Sequence, residues 1–141
     1  MEFAPFWVSC FGLAVGAAMG LWGLINPRWA AGIVRLRDDP EKPGGFAEFR
    51  GTYGGLFFAT HAFALVLMAC VALEIEAFAG VPTYWTALGT VGVCGLVWLG
   101  TAVGRVAAIA LDGAGTRYNQ ASVIFEIVLG ALIVTPWFFR A

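Results

Sequence analysis

AFAGVPTYWTALGTVGVCGLVWLGTAVG, residues 77–104, runs for 28 positions without an aspartate, glutamate, lysine or arginine. GRVAAIALDG, residues 104–113, then sets an arginine and an aspartate seven positions apart with only apolar residues between them. The first stretch decides the fold class. At about 1.5 Å per residue a helix needs roughly 20 apolar residues to cross the hydrocarbon core. Gly80 and Pro82 form a turn, so the helix begins near Thr83. The second stretch asks why so apolar a helix keeps two opposite charges.

Working outward, residues 3–27 contain no charge, residues 51–73 carry His61 as their one basic side chain, and residues 118–139 carry one charge, Glu126. Of the 141 residues, 60% are hydrophobic and 12% charged, and the mean hydropathy is +0.83. Soluble domains carry about 25% charge, so the composition points to a membrane protein of a single domain. The expected fold is an all-α integral membrane protein, a four-transmembrane-helix bundle with helices at about 3–26, 48–76, 83–112 and 118–139. The opening MEFAPFW has an acid where a signal peptide has basic residues, and its apolar run outlasts a signal segment, so it reads as a retained span.

Punctuation sets the connections. Asn26-Pro27 ends the first helix, because proline cannot continue it. Residues 29–36 are short, basic and amphipathic and suit the headgroup layer; DDPEKPGG after them is a polar turn. The loop between the second and third helices has no basic residue, and Tyr84-Trp85 suits an interfacial aromatic belt. LDGAGTRYN makes a glycine-rich hairpin between the last two helices.

Lysine and arginine bias gives the orientation. Arg28, Arg35, Arg37, Lys42, Arg50 and Arg117 fall on one side and only Arg140 on the other. The loop 27–47 is therefore expected in the cytoplasm, with the N-terminus and C-terminus outside. Glu2, Glu74 and Glu76 make the outer face mildly acidic.

Charges inside the spans need partners. Arg105 lies ten residues before Gly115 and Glu126 eleven after it, so an antiparallel hairpin puts both at one depth, roughly 10 Å inside the boundary. They are a natural ion pair. Asp112, two turns from Arg105, would stand at the mouth of the same space, which Arg50 and Tyr53 reach from the second helix. This polar cluster of Arg50, Tyr53, Arg105, Asp112 and Glu126 reads either as a salt-bridge network that fixes helix register or as a pocket for a polar headgroup.

His61 falls near the bilayer midplane, either hydrogen-bonded to a neighbouring helix or serving as a ligand to a metal or pigment. One histidine excludes bis-histidine haem ligation within the chain. Gly12, Gly16 and Gly20, and Gly100 with Gly104, recur at helix-packing spacing, for an oligomer interface or for packing within one bundle. Cys10, Cys70 and Cys94 are isolated in apolar runs and offer neither a disulfide framework nor a metal site. The sequence has no nucleotide-binding fingerprint, no zinc-protease motif, no nucleophile elbow and no basic stripe for nucleic acid. No cofactor or metal is expected.

In order along the chain stand a proline ending the first helix, EFRGTYGGL, GRVAAIALDG and a glutamate in the last helix. That series resembles the bacterial four-helix membrane family catalogued as domain of unknown function 4345, over roughly residues 12–132. Two details depart from the family pattern: Gly51 follows the arginine in place of alanine, and DG leads into Ala114-Gly115 without a proline. The resemblance implies a multi-pass protein of the bacterial inner membrane, with polar positions at Arg50, Tyr53, Gly54, Gly55, Arg105, Asp112, Gly113 and Glu126. It implies no activity.

Three functions fit these readings. The first is a non-enzymatic accessory or interaction subunit that meets a larger membrane complex, or its own copies, through glycine faces and an aromatic surface. The second is a protein that binds or carries a lipid or small amphiphile at the charged cluster. The third is a membrane enzyme on a lipophilic substrate, with Glu126 or His61 as acid or base.

Overall fold

The first helix, α1 (Phe3–Ile25), stops where Asn26 closes one helix and caps another. Its side chain accepts a hydrogen bond from the Trp29 amide at 3.2 Å, and Pro27 opens α2 (Pro27–Val34), where a missing N–H costs nothing. The computed structural model describes residues 3–39, 41 and 44–139. Glu2, Lys42 and Arg140, assigned above to the outer and inner faces, lie outside these residues.

After the polar turn the chain re-enters helix at α3 (Gly45–Glu48), passes through a π-helix (Phe49–Leu56) and continues as α4 (Phe57–Ala72). This rod begins before the expected residue 48, and it ends before residue 76, because Glu74 turns left-handed at φ 56°. Glu76 is not simply solvated. Its carboxylate accepts from the backbone N–H and the hydroxyl of Thr83, both at 3.1 Å, and so caps α5 (Thr83–Leu111).

Thr116 caps α6 (Arg117–Ile133), which stops short of residue 139. Pro136 lacks the N–H that would continue the ladder, and the chain resumes as the one-turn α7 (Thr135–Phe138). The hydroxyl of Thr135 donates to Leu132 O and to Pro5 O, both 2.9 Å away, so the break is tied to the start of α1.

Among the described residues there is no strand beyond an isolated bridge between Phe78 and Val81. The protein is all-helical, and three of its helical segments, Ala4–Ile25, Gly45–Ala72 and Thr83–Leu111, are long and apolar enough to cross a membrane. α1 packs on the π-helix and α4, α4 on α5, α5 on α6, and α6 returns to α1. Leu13, Leu67, Val91, Cys94, Leu129 and Ile133 fill the centre. Outward-facing positions are as apolar as the core: Leu111 is 83% exposed and Val103 70%. Apolar side chains on both faces are what a lipid solvent permits.

Glycines set how closely the rods approach. A Cβ on Gly16 would run into the His61 ring, one on Gly20 into the backbone of Phe57 and Phe58, and one on Gly12 would sit 2.8 Å from Ile133 Cγ1. These faces are therefore occupied within the chain. Gly100 and Gly104, expected to pack as well, meet nothing within 4 Å. The close contact of α5 with α6 falls instead at Gly95 and Gly130, where a Cβ on Gly130 would lie 2.8 Å from Leu99 Cγ.

Candidate functional site

Arg105 faces α6 because the hairpin at 112–116 is short and folds α5 and α6 back on each other. Its Nε donates to Oε1 and Oε2 of Glu126 at 3.0 and 3.2 Å, and its Nη2 to Oε1 at 2.7 Å. Nη1 reaches Asn119 Oδ1 at 3.4 Å. Asn119 is itself held by its Nδ2, which donates to Ala114 O at 2.8 Å. Glu126 is buried, whereas the Arg105 side chain is 25% exposed. A lone carboxylate at that depth would be costly to desolvate, and the forked guanidinium compensates it. Three of the five N–H groups of Arg105 are engaged, which leaves two for another acceptor.

The exposed part of Arg105 borders a half-open cavity of about 100 Å³ between α1, α2, the π-helix and α4 to α6. Met19, Trp29, Ile33 and Phe57 make its walls apolar, and Arg105, Glu126 and Tyr53 supply its polar edge. α2 roofs it, since Trp29, Ala30, Ile33 and Val34 turn one face inward. The Tyr118 hydroxyl donates to Ile33 O, and the Arg35 guanidinium lies 4.0 Å above the Tyr118 ring, so α2 is pinned to the start of α6.

The expected cluster thus divides. Arg105, Glu126 and Tyr53 share the cavity, but Arg50 and Asp112 do not line it. Arg50 donates to Leu24 O and Ile25 O, the orphan carbonyls at the negative end of α1. Entry of the second helix at this end does not fix azimuth, and from the wider-wound π-helix Arg50 reaches the end of α1 and not the cavity. Asp112 is exposed and is the C-cap of α5, one residue past the helix, so the seven-residue spacing no longer carries it onto the face of Arg105.

His61 is 1% exposed and uses both ring nitrogens. An indole N–H only donates, so Trp98 Nε1, 2.9 Å away, makes Nε2 of His61 the acceptor; Nδ1 then donates to Phe57 O at 2.8 Å. In this arrangement neither nitrogen is offered to a metal or pigment. Glu126 is likewise engaged by Arg105, so both acid–base candidates are held by partners.

Two contributors escaped the sequence reading. Trp98 precedes Arg105 by seven residues and Asn119 precedes Glu126 by seven, so Trp98 shares the helical face of Arg105 and Asn119 that of Glu126. That periodicity was available, but a tryptophan and an asparagine carry no charge to attract notice. The amphipathic pattern of α2 was legible, but its apolar face covers the cavity where the headgroup layer was expected.

Neither a curated protein nor a solved structure matches the chain. A family model does match, over residues 6–136, which runs from the first turn of α1 to the start of α7 and takes in every residue of the cavity. The chain therefore belongs to the family described as Domain of unknown function (DUF4345).

Proposed function

We propose that this is a small non-enzymatic protein of the bacterial inner membrane that crosses the bilayer four times and binds a single-chain amphiphile with a small anionic head. The spans are α1, the rod from α3 through α4, α5, and α6 continued by α7. Both termini are outside, because Arg28, Arg35, Arg37, Arg50 and Arg117 gather at the other end.

One observation carries the reading: a guanidinium anchored by a buried carboxylate, yet a quarter exposed, stands in the wall of an otherwise apolar cavity. A planar fork with two unused donors suits a carboxylate. A cavity of about 150 Å³ holds benzene, so this smaller one takes a head and its first few carbons while the tail lies along the apolar outer surface. For an accessory subunit, Gly12, Gly16 and Gly20 are filled from within, and of the expected glycine faces only Gly100 and Gly104 remain open.

The test is native mass spectrometry of the full chain extracted in mild detergent. An amphiphile should accompany the wild type and be lost from the Arg105→Gln/Glu126→Gln double variant, which removes both charges together and so leaves no orphan. An identical bound-lipid profile for the two proteins overturns the proposal.

A further inference from the structure

The outer face of α2 carries chemistry that the cavity does not use. Arg28, Ala31, Gly32 and Arg35 recur at three, four and seven residues on the side opposite Trp29, Ala30 and Ile33. Beyond the helix, Arg35 takes the left-handed conformation, φ 58°, and its amide donates to Gly32 O while that of Leu36 donates to Ala31 O. The reversal folds Leu36, Arg37 and Asp38 back beside the helix. The result is a groove of about 520 Å³ with Gly32 at a point where even a Cβ would meet nothing within 4 Å.

Three guanidinium groups and a single carboxylate, Asp38, line this groove. Among the described residues no ion pair neutralises any of the three. Two are instead held over aromatic rings, Arg28 at 5.8 Å from the Phe46 centroid and Arg35 at 4.0 Å from that of Tyr118. Such contacts orient a cation without cancelling its charge. Leu36, 55% exposed, stands in the same groove beside the arginines. Fixed cations bordered by an outward apolar side chain match the boundary between headgroups and acyl chains.

We infer that this groove is a binding site for the phosphodiester headgroup of an anionic phospholipid, with the guanidinium groups of Arg35 and Arg37 on the phosphate and Leu36 against the first carbons of the chains. The site lies across α2 from the cavity and stands whether or not the cavity takes an amphiphile. A zwitterionic lipid presents the same phosphate with a cation beside it, which the three arginines repel.

Native mass spectrometry of the detergent-solubilised chain, titrated separately with phosphatidylglycerol, phosphatidylcholine and inorganic phosphate, tests this assignment. The wild type should retain phosphatidylglycerol over phosphatidylcholine, and Arg35→Gln/Arg37→Gln should weaken phosphatidylglycerol about thirtyfold, the effect of two basic residues at an anionic surface. Arg35→Lys/Arg37→Lys should keep most of the preference, which separates charge from any loss of folding. Equal retention of the two lipids by the wild type, or unchanged retention by the glutamine variant, overturns the inference. Displacement of the lipid by equimolar inorganic phosphate overturns the lipid as the occupant.

Discussion

Trp98 and His61 hold each other across α5 and α4: the indole N–H donates to Nε2 at 2.9 Å, and the Trp98 ring also borders the cavity beside Arg105. Trp98 therefore bonds the buried histidine and lines the same cavity as the charged pair. Trp98→Phe should orphan Nε2 of a fully buried imidazole and cost about 1–3 kcal/mol. The loss is to be read from the thermal midpoint in detergent.

The Arg105–Glu126 pair should behave asymmetrically. Arg105→Ala leaves an uncompensated buried carboxylate and should destabilise by about 3–5 kcal/mol, whereas Arg105→Met with Glu126→Leu should cost far less. Unfolding in mixed micelles with rising denaturing detergent would show the difference. Equal losses for single and double variants would mean that the pair contributes through its packing alone.

Gly16→Leu should abolish stable folding, since the His61 ring occupies the space the new side chain needs. Gly100→Leu, in open space, should change stability by no more than about 0.5 kcal/mol. Size-exclusion profiles of the two variants compare them directly. A well-folded Gly16→Leu protein that merely changes its oligomeric state would restore the interface reading of that face.

Tyr118→Phe removes the hydrogen bond to Ile33 O and should loosen α2 by about 1 kcal/mol. Backbone amides of α2 should then exchange several-fold faster with deuterium, while those of α5 keep their rates.

What the sequence made legible was what depends on depth and composition. Counting outward from Gly115 brings Arg105 and Glu126 to one level, and the structure joins them at 2.7 Å. The apolar runs mark helices long enough to cross a membrane. What stayed hidden depends on azimuth. Helical spacing puts Asp112 on the face of Arg105, yet it lies just past a helix end. The end from which the second helix enters puts Arg50 near the cluster, yet its π-helical setting aims it at α1. The glycine spacing could not say which partner fills each notch, and so Gly95 and Gly130 went unnoticed while Gly100 and Gly104 drew attention.

The π-helix at Phe49–Leu56 also fixes where the chain tolerates a change of length. Each α-helical residue turns the rod by about 100°, so a deletion within α4 would swing everything on one side of it out of phase and carry His61 away from Trp98. A π segment already holds a surplus residue. Removing Gly51, whose Cβ position is empty, would let that segment relax to α geometry with both flanks still in phase. The rod thus carries one dispensable position, and it lies outside the contacts that align the histidine.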